Sequence, residues 1–579
     1  MNCFAPLPGK ARAAFSALAL IAYALLTPNV AGAEPYDVIF RGGEILDGTG
    51  ARPYRADLAV RGGRIAAIGD LGEETADRII DVADLTIVPG FIDIHSHADG
   101  TGDSRGLRSR DPKRRAAPNL VTQGVTTVVV NQDGLSPLDI SRQRSQLEAR
   151  GFGPNAALMV GHNTIRRAAM AGTALDRPAT DDEIGAMRAM IREGMEAGAW
   201  GLTAGLEYEP GIWSDTKELI VLVREIVPYG GIYIVHERSS GSDPMWFAPS
   251  QDSPEPPTML DSVHETIRIG EATGATVVVT HIKARGTNYW GKSREIIDAI
   301  EAARARGVKI VADQYPYTSS GSDGTIVLIP KWIFDDFQDD STDYIGALMH
   351  AMADKSSGQK LNDDVAHMIM RRGGASNIVV LRHPVRRAVG RTLADLAAER
   401  GVSPVEMVFL FQFEGYHDRF GGVLLRGFSM SETDVRAFAA RPWVATASDA
   451  GVTLPGDGLI HARYYGTFPR KIRKYALDPT NPILPLGQAI RSMTSFPATI
   501  MGLQERGRIK AGYSADIVVL DLETVRDTAT FFQPHHFAQG IPFVMINGTF
   551  VVENSTPTFA LPGRVLLRPA PRDRQDTDD

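Results

Sequence analysis

The sequence predicts an α/β protein: a (β/α)8 barrel carrying a small β-sandwich domain assembled from the two ends of the chain. Three observations lead there. Between Pro89 and about Ser495, apolar β-branched runs alternate with helical segments, the pattern of a parallel sheet with crossover helices. Short strand signals crowd the stretch before Pro89 and return after Gly502. The composition, 43% hydrophobic and 22% charged over 579 residues, is that of a globular chain and excludes disordered, collagen-like and disulfide-built classes.

Taken in order, residues 1–33 read as a secretory signal. Lys10 and Arg12 precede an apolar stretch, Ala14 to Leu26, and Ala31-Gly32-Ala33 has the small-x-small form of a cleavage site. The alternative is an N-terminal membrane anchor. Cleavage removes Cys3, the only cysteine, so the mature chain has no thiol for a disulfide, a nucleophile or a metal. Losing Lys10 and Arg12 also moves the net charge from −8 to −10. The expected destination is an exported, periplasmic compartment, with no stable membrane insertion once the signal is cut.

Residues 34–88 hold "YDVIFRGGEILDG", "ADLAVRGGRIAAIG" and "IIDVADLTIVPG", strand-like runs parted by Gly-Gly and Asp-Gly turns. They form the first part of the β-sandwich. Residues 89–498 are the barrel. Strand signals such as "VTTVVV", "ATVVVTH" and "VKIVADQY" alternate with helices such as "SREIIDAIEAARARG", whose Ile296, Ile297, Ile300 and Ala303 share one face. An insertion is expected near 330–381, where Asp and Met are frequent and strand character is weak. Residues 499–566, with "ADIVVLDLETV" and "IPFVMINGTFVVEN", supply the second part of the β-sandwich. The tail 567–579 is Pro-rich, charged and expected to be disordered. A net charge of −8 with no basic block gives no case for nucleic-acid binding.

The chemistry-bearing residues lie at strand ends, where a barrel keeps its active site. In "VPGFIDIHSHADG", Asp93, His95 and His97 alternate with Ile92, Ile94 and Ser96, so a strand projects both imidazoles to one side, within reach of one cation. An H-x-H pair alone is weak, and a lone His after a strand also fits a satisfied polar cap. Here His236 ends "GGIYIVH" and His281 ends "ATVVVTH", which brings four histidines to strand ends. Asp449, in "WVATASDAG", fits an N-cap equally well. Beside a cation and a water, its carboxylate can take a proton and hand it to a leaving amine.

The P-G-F-I-D-x-H-x-H opening, the single later histidines, the late Ser-Asp and the split β-domain resemble the amidohydrolase superfamily. "VTQGVTTVVVNQDG", "GHNTIR", "GLEYEPG", "THIKARG", "DQYPYTSSGS", "HARYYGTFPRKI" and "RGRIKAGYSADIVVLD" are similar, in the same order, to its N-acyl-D-amino-acid deacylase (D-aminoacylase) branch. The likeness runs roughly from Tyr36 to Val565. It implies a hydrolase with one or two zinc ions per chain, in a distorted TIM barrel. By position, His95 and His97 resemble the more buried metal pair, His236 and His281 the principal zinc ligands, and Asp449 the catalytic base.

One departure stands out. The branch commonly carries a Cys ligand in an N-C-G turn; here the turn is Gln132-Asp133-Gly134, which puts Asp133 in the thiolate's place. A carboxylate favours zinc less and admits harder metals. Glu207, in "GLEYEPG", ends the fourth strand, where many superfamily members place a bridging ligand, so both Asp133 and Glu207 are candidates. Lys283, two residues beyond His281, shares its strand face, and Tyr315 and Arg463 match positions that in the family hold the amino acid's α-carboxylate, a task suited to a cation and a phenol. Solvated surface charge is the alternative for Lys283 and Arg463. Tyr208 resembles another substrate-side residue, or packs at the barrel mouth. His162 borders the site or makes a structural hydrogen bond.

The resemblance implies hydrolysis of N-acyl-D-amino acids to a carboxylate and a free D-amino acid. Its alternatives are another carboxylate-bearing amide, a D-dipeptide or a cyclic amide, and a non-catalytic periplasmic binding protein on the same fold. The expected partner is a small-molecule amide and not a nucleic acid; the sequence sets no oligomeric state.

Overall fold

A computed structural model describes residues 35–100, 106–253, 255–321, 326–335 and 343–569. The expected signal segment, 1–33, lies outside them. Among the described residues, no helix is long and apolar enough to cross a membrane.

Both ends of the chain build one sheet of nine strands among the described residues. The N-terminal segment gives Tyr36–Ile45, Tyr54–Arg61, Arg64–Gly69, Ala76–Asp81 and Thr86–Pro89; the C-terminal segment gives Ile517–Leu520, Phe543–Ile546, Thr549–Glu553 and Thr556–Pro557. Thr86–Pro89 pairs antiparallel with Ile517–Leu520 and joins the halves. The β-domain expected from the two chain ends is thus present, its strands joined in one hydrogen-bonded network. A register shift between Phe40 and Gly43 divides the first strand. Its first half pairs with Ala76–Asp81 and its end with Thr86–Pro89. At Gly43 a Cβ would stand 2.8 Å from Ile87, so no larger residue fits without displacing that side chain. Phe40, Ile45, Val60, Ile87, Ile517, Val519 and Met545 share one core, drawn from both chain ends.

The barrel follows the predicted alternation. Its strands, in order, are Phe91–Asp93, Val125–Val130, Asn155–Leu158, Gly201–Gly205, Ile232–His236, Thr276–Val279, Ile310–Gln314 and Val444–Thr446. All neighbouring pairs are parallel. Helix Ser293–Ala305 buries Ile296, Ile297, Ile300 and Ala303, the face its spacing predicts. Helix Met259–Thr273 starts at a capping box in which Thr258 and Asp261 satisfy each other's backbone N–H.

Two distortions matter. The third strand breaks at Met159: Asn155–Leu158 pairs with the second strand, and its continuation Val160–Gly161 pairs with the fourth. The barrel closes through the short segments Ser96–His97 and Ala450–Gly451. The first strand is thus interrupted after Asp93, where one unbroken strand through His97 was expected. The reason is in the side chains: buried Asp93 accepts hydrogen bonds from the Ser448 N–H (2.8 Å) and the Ser448 hydroxyl, pinning the two strand ends together.

Two expected boundaries are corrected. The insertion between the seventh and eighth strands has a core running from Ile326 to Leu425, well past 330–381. Helices Leu393–Arg400 and Pro404–Glu414 fall in the stretch after 381 expected to be barrel, but Leu393, Met407 and Phe411 turn into the insertion's own core with Leu361, Val365 and Val380. The C-terminal stretch also differs. Val565–Leu566 pairs with barrel strand Asn155–Leu158, outside the β-domain. Arg568, expected in a disordered tail, donates to Tyr229 O (2.6 Å) and lies over the Trp200 ring at 5.2 Å.

Candidate metal centre

Every candidate ligand leaves the C-terminal end of a barrel strand. His236 is the last residue of the fifth strand, and His281 follows the sixth by two. Asp133 sits in the turn after the second, and Asp449 between Val444–Thr446 and Ala450–Gly451. Three of them hold positive φ: Asp133 at 56°, His281 at 35° and Asp449 at 49°. Left-handed backbone costs a non-glycine residue about 1–3 kcal/mol and is kept where surrounding contacts impose it. Those contacts are visible: the His281 N–H donates to Asp313 (2.7 Å), and the Asp449 N–H donates to His95 O (3.0 Å). Gly134 is required beside Asp133, because a Cβ there would lie 2.0 Å from Asn163 Oδ1.

These turns converge on Asp133. Its Oδ1 stands 3.6 Å from His95 Nε2, 3.5 Å from His236 Nδ1 and 3.8 Å from His281 Nε2. Its Oδ2 stands 3.4 Å from His97 Nε2. Asp449 Oδ1 faces the other side of the cluster, 3.2 Å from His97 Nε2 and 3.7 Å from His95 Nε2. His236 Nδ1 and His281 Nε2 are 3.0 Å apart. Buried Asp133 Oδ1 has no hydrogen-bond partner, although three imidazole nitrogens surround it. Two triads, His95–His97–Asp449 and His95–Asp133–His281, bring their ligand atoms within 4.8 Å of one another. An orphaned carboxylate oxygen inside a ring of imidazoles fits a divalent cation.

The electrostatics agree. Burial works against charge on every group, yet Asp133 and Asp449 stay well below the usual carboxylate range, held by the imidazoles and, for Asp449, the Arg463 guanidinium. Burial also opposes protonation of the histidines, but the carboxylates raise His97 to about 10 and His236 to about 9. Burial wins at His281, lowered to about 4, and at His95. Two buried carboxylates demand positive charge between them.

The two bridging candidates separate here. Glu207 lies behind His236: its Oε2 accepts from His236 Nε2 (2.9 Å), the ring nitrogen turned away from Asp133. Arg285 Nη2 (3.0 Å) and the Met245 N–H (2.7 Å) hold its Oε1. Both Glu207 oxygens are thus engaged on the side of His236 away from Asp133, so of the two candidates Asp133 is the one that faces the cluster. Burial pushes the Glu207 pKa up, but Arg285 and His236 bring it down to about 2.

Lys283 Nζ lies 2.7 Å from His281 Nδ1. Arg463 Nη1 is 2.8 Å from Asp449 Oδ2, and its guanidinium covers the Tyr315 ring at 4.6 Å. Lys283 and Arg463 are 7% and 2% exposed, which removes the surface-charge alternative. The buried Tyr315 hydroxyl and Arg463 Nε have no hydrogen-bond partner among the described residues. The Tyr208 ring packs 4.5 Å from His236. His162 takes the structural role, bonded to Glu218 (2.8 Å) beside Arg166.

Sequence reasoning missed Arg285, Thr280 and Asp313. Thr280 bonds His95 Nδ1 and donates to Asp313 (2.7 Å). Arg285 stood within "THIKARG" and Asp313 opens "DQYPY", so both lay in motifs whose other members were assigned.

The amidohydrolase family model matches residues 78–212 and 363–552. This chain belongs to the amidohydrolase family. D-aminoacylase of Alcaligenes xylosoxydans xylosoxydans is 35% identical to this amidohydrolase over 560 residues, covering 93% of this chain and 99% of that protein. N-acyl-D-glutamate deacylase of the same organism is 31% identical, covering 93% and 98%. A crystal structure of D-aminoacylase superposes with a TM-score of 0.70 at 34% identity, over 92% of this chain and all of that one. N-acyl-D-glutamate deacylase from Bordetella bronchiseptica, solved with zinc and a phosphonate mimic of the tetrahedral intermediate, gives 0.71 at 30% identity, over 93% and 100%.

Proposed function

We propose that this amidohydrolase uses zinc to hydrolyse N-acyl-D-amino acids, yielding a carboxylate and a free D-amino acid. The observation that carries the reading is one cluster: imidazoles around the orphaned Asp133 oxygen, next to buried Arg463, Lys283 and Tyr315. His95, His97, His236, His281 and Asp133 would hold the metal. Zinc bound there lowers the pKa of a water to roughly 7 and polarises a scissile carbonyl.

The chain's own groups do the rest. Asp449, kept ionised by Arg463, accepts a proton at Oδ1 and returns it to the departing nitrogen. The Tyr315 hydroxyl and Arg463 meet the substrate's α-carboxylate with groups the protein leaves unsatisfied. Lys283, lowered by burial to about 8 despite neighbouring carboxylates, adds a cation beside His281.

The test is metal content per chain, together with turnover of a panel of N-acetyl-D- and L-amino acids. One or two equivalents of zinc with turnover confined to the D series is the expected result. Metal without turnover points to another carboxylate-bearing amide. Neither metal nor turnover, after zinc addition, leaves the binding-protein reading. We also infer export, supported by the Lys10–Ala33 pattern; a mature N-terminus at Glu34 in a periplasmic extract is the expected finding.

A further inference from the structure

Helix Lys355–Arg371 belongs to the insertion, yet its last residue reaches into the barrel. Arg371 Nη1 donates to Asp243 Oδ1 (2.8 Å), Pro244 O (2.6 Å) and Phe247 O (3.0 Å). One guanidinium nitrogen thus gathers three acceptors from the loop that follows the fifth barrel strand. That loop holds Glu207 from two directions. The Met245 N–H donates to Glu207 Oε1 (2.7 Å), and Asp243 O anchors Arg285 Nη2 (2.9 Å), which also donates to Glu207 Oε1. Glu207 in turn bonds the outer nitrogen of His236. Glu207, Asp243, Arg285 and Arg371 are each no more than 4% exposed.

A buried chain of this kind is weak evidence for stability, because desolvating the ions offsets most of their attraction. Its geometric consequence is firmer. The direction of a ligating imidazole follows from what its second nitrogen bonds, and such outer partners tune metal affinity. The loop between Asp243 and Phe247 has no regular secondary structure of its own, so its course depends on the guanidinium that collects its carbonyls.

We propose that Arg371 is a positioning residue for the metal centre, through which the insertion sets the orientation of His236. The loop carries the effect to Glu207, and Glu207 carries it to the ring. The insertion is then part of how the barrel loads metal. This rests on the zinc reading above.

The test measures zinc affinity of the full-length protein by competition with a chromophoric chelator, using Zn2+ alone. Arg371→Met should weaken the first equivalent about tenfold, the lower end for an outer partner. Arg371→Lys, which keeps the charge and three donors on one nitrogen but sits on a side chain one atom shorter, should fall between; it also carries the test if the Met variant does not fold. Leu393→Ala, in the insertion's core, should lower the melting temperature and leave zinc affinity unchanged. Wild-type affinity in both Arg371 variants overturns the inference. So does equal weakening by Leu393→Ala, which would make the effect one of general destabilisation. A wild-type protein that takes up no zinc overturns the metal reading itself, a result separate from either.

Discussion

Replacing Asp449 with asparagine separates its three contacts. Oδ1 faces His97 and His95 at 3.2 and 3.7 Å, and Oδ2 pairs with Arg463 at 2.8 Å. Asparagine keeps the shape and loses the basicity and the charge. General base catalysis contributes about 10²–10⁴ in rate, so kcat should fall by that factor, about 3–5 kcal/mol on the barrier. Zinc among His236, His281 and Asp133 should remain, because the carboxylate facing that corner is Asp133. Occupancy beside His97 should drop. Arg463, 2% exposed, loses its anion; breaking a buried pair costs about 3–5 kcal/mol, and the asparagine oxygen recovers part of it. The melting temperature should therefore fall by a few degrees. The assay is metal analysis, steady-state kinetics on an N-acetyl-D-amino acid and thermal unfolding of one preparation. A kcat within tenfold of wild type, with zinc bound, would refute the assignment of Asp449 as base. Loss of all zinc would make it chiefly a ligand.

Three further outcomes are expected. Glu207→Gln should weaken zinc binding about 10–100-fold, read by chelator competition, since Glu207 accepts from the outer nitrogen of His236; unchanged affinity would remove its orienting role. Tyr315→Phe should lower kcat/KM about ten- to hundredfold for carboxylate-bearing substrates, the worth of a hydrogen bond to a charged group, with little effect on the matching carboxamide; equal losses on both would dissociate Tyr315 from the carboxylate. Lys471, 2% exposed, is lowered by burial to about 7 and donates to Thr446 Oγ1 at 2.9 Å. With a folded pKa below the unfolded one, the unfolded chain binds the extra proton between pH 7 and about 10.5, so stability rises with pH across that window. Lys471→Met should be the more stable protein at pH 7, with the gap narrowing by pH 9; a pH-independent gap would contradict a buried amine.

Periodicity carries across the fold unevenly. Helix Ser293–Ala305 was legible because one amphipathic face meets the barrel, and Ile296, Ile297, Ile300 and Ala303 on that face are buried. Helices Leu393–Arg400 and Pro404–Glu414 are apolar too, the second on nearly every side, and belong to a different core. An apolar face says that a helix packs, not against what. The strand through His95 fails for another reason. Its alternation is regular, but a buried contact with Ser448, distant in the chain and adjacent in the closed barrel, interrupts it.

The sequence by itself determined the barrel, the β-domain shared by the chain's two ends, and the residue types at the strand ends, because side-chain period and strand-end position are local properties. It also marked Asp133 and Glu207 as the carboxylates to be weighed. Only the tertiary structure decided between them. Both follow a strand, separated by 74 positions in the chain, and their roles turn on which nitrogen of His236 each one faces. Nδ1 looks toward Asp133 and Nε2 toward Glu207. That choice depends on Arg285 and the Met245 N–H filling the remaining bonds of Glu207, contacts between loops of different strands that no local pattern encodes.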